Sequence, residues 1–138
     1  MRITATVHHE PGRHEVTVAT DGRTTTLDLP ARDGGPGSAV NGGELLAAAL
    51  ATCFLNDLHR EAGRRGIEIG TVEVVVESEY GGRGEPARDL TYEVHVRSRA
   101  NAGLVADLVR ETDLLAEVHA TLRAAREVEL RSVQISAP

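Results

Sequence analysis

Lysine is missing altogether from this 138-residue chain; all 15 basic residues are arginine. That excludes a P-loop lysine, a Schiff base, and lysine-based aldolase or transaminase chemistry. Aromatic side chains are nearly as scarce, with only Phe54, Tyr80 and Tyr92 present. Stacking platforms for bases or flavins use several aromatic rings, so single-stranded nucleic acid is a poor fit and any core must be aliphatic. A single cysteine, Cys53, rules out an internal disulfide and a four-cysteine metal site. The net charge of −6 gives no electrostatic hold on nucleic acid or an anionic membrane. There is no long apolar run, and the opening MRITATVHHE is too polar for an export signal, so a cytoplasmic location is expected.

What is present is an ordinary globular composition, 41% apolar and 26% charged. At this mass, folding is expected to leave about 6,900 Å² of surface out of roughly 21,000 Å², enough for a real core. With no internal repeat or linker, residues 1–138 read as one domain, and the glycine-rich stretch Ala31 to Gly43 is the only candidate hinge.

Three short β-rich runs, near Arg2 to His8, Glu15 to Ala19 and Thr24 to Leu29, are punctuated by Pro11-Gly12 and Asp21-Gly22. This predicts a meander of strands. From Glu44 the leucine- and alanine-rich segment predicts a helix of about twenty residues. Residues 45 to 51 are apolar on every face and are expected to be surrounded by protein. The second half turns polar at Asn56, Asp57, His59, Arg60 and Glu61. Val72, Val74 and Val76 then alternate with glutamates, and Leu90, Tyr92, Val94 and Val96 alternate with polar residues, which predicts a hairpin. Its acidic residues are expected across from Arg97 and Arg99. Asn101 caps a second helix with an apolar stripe through Leu104, Val105, Leu108, Val109 and Leu115. A short helix near His119 to Leu122 and a strand over Glu127 to Ile135 complete the order βββ-α-ββ-α(α)-β. Strands segregated from helices in this way give an α+β fold with a long central helix.

Cys53 is either a small core residue or a nucleophile. An aliphatic surround would raise its pKa, and it sits too far from the helix N-terminus for the dipole to help. The histidines at 8, 9, 14, 59, 95 and 119 include no i, i+4 pair, so no metal site is expected. His119 is read as a capping or solvated residue. The glycine loop lacks both the dinucleotide fingerprint and the P-loop lysine, so no cofactor is expected there.

The stretch NGGELLAAALATCF, followed by strands, a helix and then EVHATL, resembles the OsmC/Ohr family of thiol-dependent organic hydroperoxide reductases over nearly the whole chain. The resemblance implies an intertwined homodimer of α+β subunits with sites at the subunit interface. It places the peroxidatic cysteine at Cys53 and, loosely, the thiolate-stabilising arginine at Arg13. It also exposes two departures. Gly43 stands where the family has a glutamate, with Glu44 only a neighbour, and AEVHATL puts Ala116 at the resolving cysteine and Glu117 at the following proline. Three functions stay open. One is a one-cysteine peroxidase of the oxidative stress response, re-reduced by an external thiol. The others are a non-catalytic dimer binding an apolar small molecule at its interface, and a structural dimer in which Cys53 is core.

Overall fold

The computed structural model describes residues 1–135. It has the expected α+β character, with three helices and two antiparallel sheets. The chain divides into two compact units, Met1–Leu46 and Ala47–Pro138.

The first unit is a meander of β1 (Ile3–Glu10), β2 (Arg13–Thr20) and β3 (Arg23–Leu27), paired in the order β1-β2-β3. Its turns follow from their residues. Asp21 at φ 47° and Gly22 at φ 86° are both left-handed, as a two-residue type I′ hairpin requires. Pro11 with Gly12 at φ 81° supplies the other turn. Val16 is the one buried residue of the meander. The glycine loop closes on itself through an isolated bridge between Ala31 and Ser38, and the Ser38 hydroxyl lies 2.9 Å from His14 Nε2 on β2.

Helix α1 (Gly42–Arg65) starts with a capping box. Asn41 Oδ1 accepts from the Glu44 amide at 3.0 Å, and Glu44 Oε2 accepts from the Asn41 amide at 2.7 Å. Within the single chain the expected enclosure of residues 45 to 51 is not seen: Leu50 alone among them is buried. Alanine-rich sequence reports helix propensity as much as burial, and its methyl groups have little surface to hide. The seemingly polar second half is the buried one, with Phe54, Asp57, Leu58, Glu61 and Ala62 all inside.

Strands β4 (Val72–Tyr80) and β5 (Ala87–Val96) form the hairpin, and helices α2 (Ala102–Leu115) and α3 (Glu117–Arg123) follow. The core of this second unit is Phe54, Leu58, Ala62 and Leu108, against which Val72, Val74, Tyr92, Val94 and Val96 pack. These valines are the predicted inner face of the hairpin. On the outer face the charge pairing differs from the expectation. The register sets Glu73 opposite His95 and Glu79 opposite Arg88, while Arg97 and Arg99 lie beyond the strand end. Asn101 caps α2 as predicted, accepting from the Gly103 and Leu104 amides. Leu104 and Leu115, however, are exposed, and Thr112 takes a core position.

The strand expected over Glu127 to Ile135 is not formed. Its apolar residues change phase, with Val128 and Leu130 on one parity and Val133 and Ile135 on the other, so no single face can collect all of them. All four are largely exposed, and the segment joins neither sheet.

Candidate functional site

Helical spacing assembles the surroundings of Cys53. Asp57 lies one turn on, at i+4, and Arg60 follows it at i+3, so the three share one side of α1. The break between α2 and α3 at Ala116 then brings Glu117 to the same place. Cys53 Sγ lies 3.7 Å from Asp57 Oδ2 and 4.0 Å from Glu117 Oε2. Arg60 Nη2 bonds Asp57 Oδ1 at 2.8 Å and stands 3.9 Å from Glu117 Oε1, while its Nε is 3.6 Å from Glu61.

The electrostatics of this group follow from burial and crowding of like charge. Burial is the main influence holding the Cys53 thiol above its usual pKa; the Val118 backbone amide opposes it, and the carboxylates of Asp57 and Glu117 add to it. Asp57 is also pushed up, first by burial and then by Glu117, with Arg60 pulling the other way. Burial makes the Asp57 carboxylate a stronger base than usual, and it stands within reach of the thiol proton. The sulfur and two carboxylates lie within 4.8 Å of one another, a grouping a cation could bridge, but Arg60 already supplies positive charge there.

A second polar group lies behind the first. Phe54, Tyr92 and His119 form a ring cluster with centroids 5.2, 6.0 and 4.9 Å apart. The Tyr92 hydroxyl donates to Asp113 Oδ1, as does Arg123 Nη2 at 2.6 Å, and Arg123 Nη1 donates to the Asp113 carbonyl at 3.0 Å. Burial pushes the Asp113 carboxyl up, yet Tyr92 and Arg123 together hold it below its usual pKa. His119, expected to be solvated or capping, is only 4% exposed, and neither ring nitrogen has a protein partner. Burial, aided by the Arg123 charge, lowers its pKa and favours the neutral ring.

Arg13, in the first unit, pairs with Glu15 at 2.8 Å and Glu10 at 3.8 Å. Gly43 lies in the first turn of α1, and the Glu44 carboxylate is committed to the capping box. Ala116 is fully buried at the α2–α3 break. Cross-strand pairing brings His9 Nδ1 within 3.3 Å of His14 Nδ1 on an exposed surface, a neighbourhood invisible to i, i+4 counting. Sequence reading placed Asp57 and Arg60 in the polar second half of the helix without linking them to Cys53. The signal that could have found them is the Cys-x3-Asp spacing, which places both side chains on one helix face.

An α+β fold with a lone thiol midway along its long helix defines a class, and comparison with known proteins narrows it. A family model for OsmC-like proteins matches residues 35–131. The chain belongs to the OsmC-like family. Among solved structures it resembles an OsmC-like protein from Mycoplasma pneumoniae (19% identity, TM-score 0.62, covering 88% of this chain and 86% of that one). It also resembles an organic hydroperoxide resistance protein OsmC from Legionella pneumophila (25%, 0.57, 89% and 90%). A third similar structure is the organic hydroperoxide resistance protein OhrB of Bacillus subtilis (20%, 0.54, 89% and 91%). No curated protein matches it. No helix among the described residues is long and apolar enough to cross a membrane.

Proposed function

We propose that this protein is a one-cysteine, thiol-dependent reductase of organic hydroperoxides acting in the oxidative stress response, with Cys53 as its nucleophile. The observation that carries the reading is the lone, half-buried Cys53 thiol of an OsmC-like chain, set 3.7 Å from a carboxyl able to take its proton. The name of the Legionella structure, at 25% identity, supplies the substrate class.

In the first step Asp57 accepts the thiol proton and the sulfur attacks one peroxide oxygen. The S–O bond forms as the O–O bond breaks; sulfur is oxidised to sulfenic acid, the peroxide is reduced, and the proton passes to the departing alkoxide to give an alcohol. With alanine at 116 and no second cysteine in the chain, an external thiol condenses with the sulfenic acid and releases water. A second equivalent of that thiol restores Cys53 and leaves as a disulfide. Arg13 is assigned as the cation that steadies the thiolate, in competition with Arg60, which already borders the carboxylates. The chain acts as a single domain over residues 1–138 and as an intertwined homodimer. The exposed apolar residues of the unpaired segment after α3, Val128, Leu130, Val133 and Ile135, support an assembly that covers them.

The test is to expose reduced protein to cumene hydroperoxide and trap sulfenic acid with dimedone, reading the adduct by mass spectrometry. Stoichiometric modification at Cys53, lost in Cys53→Ser and slowed in Arg13→Ala, is the expected result. A thiol that stays unmodified overturns it in favour of a non-catalytic dimer binding an apolar small molecule at its interface, the reading favoured by the burial and the two carboxylates that raise the Cys53 pKa.

A further inference from the structure

Strand pairing in the first unit sets His9 directly opposite His14, one pair in from the Pro11-Gly12 turn. Opposed side chains on one face of a hairpin have Cβ atoms about 4.5–5.5 Å apart, close enough for two imidazoles to meet. Here the ring centres are 5.4 Å apart and the two Nδ1 atoms only 3.3 Å, so the Nδ1 corners of the rings face each other. His9 is exposed and His14 half-buried, which leaves the pair open to a small solute. Strand alternation sends His8, Glu10, Arg13 and Glu15 to the opposite face, where they pair among themselves. The Arg13 charge is therefore engaged away from the two imidazoles.

One of these rings is held from behind. His14 Nε2 lies 2.9 Å from the Ser38 hydroxyl oxygen. Ser38 is fixed in turn by its bridge to Ala31, and the loop around it by 2.9 Å bonds from the Arg32 amide to the Gly37 carbonyl and from the Ala39 amide to the Pro30 carbonyl. Gly37, at φ 98°, supplies the left-handed step just before it. The glycine loop thus carries a hydroxyl to the outer nitrogen of His14. An Nε2–H that donates to this hydroxyl leaves a bare lone pair on Nδ1, the way metal-binding histidines are commonly oriented. A count of i, i+4 spacings, which gives no metal site, tests helices and does not reach a pair formed across strands.

We propose that His9 and His14 bind a zinc ion through their Nδ1 atoms, with Ser38 positioning His14 and water in the two remaining places. Geometry and donor chemistry both select this ion. Zinc–nitrogen bonds of about 2.0–2.1 Å at the tetrahedral angle hold two nitrogens about 3.3–3.4 Å apart. The right angle of a square-planar site would draw them to about 2.9 Å at similar bond lengths. Two neutral imidazoles suit zinc and disfavour magnesium and calcium, which take oxygen ligands. Without metal, only one proton fits between the two Nδ1 atoms. With His14 donating through Nε2, that proton belongs to His9; zinc takes its place, and the exposed His9 ring carries its proton on Nε2 instead. No atom of this site belongs to the Cys53 group, so zinc binding does not rest on the peroxide reading.

Zinc titration of the reduced, chelator-treated protein at pH 7.5, read by calorimetry and by imidazole nitrogen NMR, tests it. One zinc per chain is expected, with the Nδ1 signals of His9 and His14 shifting together and both rings in the Nε2–H form. His9→Ala and His14→Ala should each abolish saturable binding while leaving the amide spectrum folded. Ser38→Ala should bind about tenfold more weakly, the lower end of what losing such a partner costs, and Ser38→Thr, which keeps the hydroxyl, should restore the affinity. His95→Ala, which removes an exposed histidine outside the pair, and Cys53→Ser should both bind as the wild type does, and magnesium should move neither ring's signals. Absence of saturable zinc binding, unchanged affinity in His9→Ala or His14→Ala, or loss of binding in Cys53→Ser overturns the proposal.

Discussion

At the scale of single residues, half-buried Cys53 and buried His119 titrate away from their ordinary values, and each gives a measurable consequence. Cys53 is held in its thiol form by burial and by Asp57 and Glu117. Asp57→Asn removes one of those charges and keeps the shape. Alkylation of Cys53 by iodoacetamide at pH 7.5 is therefore expected to speed up several-fold. If Asp57 takes the thiol proton and relays it to the departing alkoxide, peroxide oxidation should slow in the same variant. Opposite movement of these two rates identifies Asp57 as a proton carrier; parallel acceleration reduces it to a neighbouring charge.

His119 responds to pH in its own way. Its folded pKa lies below the ordinary 6.5, so near and below that value the unfolded chain binds a proton that the folded chain refuses. Stability from this group is complete above pH 6.5 and is lost as pH falls through the folded value, by at most about 1.4 kcal/mol per pH unit. Urea denaturation between pH 7 and 5 should show a falling midpoint in the wild type and a flatter one in His119→Phe. Sequence reading missed the burial of His119 because a histidine near a helix end is usually wet. The rings of Phe54 and Tyr92, from other elements, pack against it.

Among the elements, α1 owes its start to a reciprocal cap rather than to the glycines before it. Asn41→Ala removes the side-chain acceptor for the Glu44 amide and is expected to cost about 1 kcal/mol, read as a lower denaturation midpoint at unchanged slope. Glu44→Gln, which can still bond the Asn41 amide, should cost less. The elements themselves were legible where chemistry is local. Asp21-Gly22 specifies its turn, Asn101 its cap, and the alternating valines of β4 their inner face. Legibility failed where the answer depends on what lies opposite. Uniform apolarity in residues 45 to 51 does not say which side is covered. Asp57 and Glu61 look solvent-facing until Arg60 and Arg64 are seen paired with them. The site was half visible on the same principle: Cys53 stood out as the lone thiol, but its neighbour Glu117 comes from 64 residues away.

For the whole molecule, assembly is the quantity to measure. The homodimer reading predicts twice the 14.7 kDa chain mass in sedimentation equilibrium at micromolar concentration. Truncation after Arg126 removes exposed Val128, Leu130, Val133 and Ile135 and no core residue, so it should leave circular dichroism intact while weakening association. A monomer in both proteins contradicts the intertwined architecture.

The β4–β5 hairpin carries one more consequence. Among the described residues each of its strands is paired along one side only, so about every second backbone amide in residues 72–80 and 87–96 points away from the ladder. Amides in that position, when exposed, exchange deuterium far faster than those between the strands. In dilute protein a two-beat rhythm of fast and slow exchange should run along both strands. If a second copy covers one outer edge, the fast beats on that strand alone will slow as concentration rises, and the strand that changes will identify the edge the partner uses.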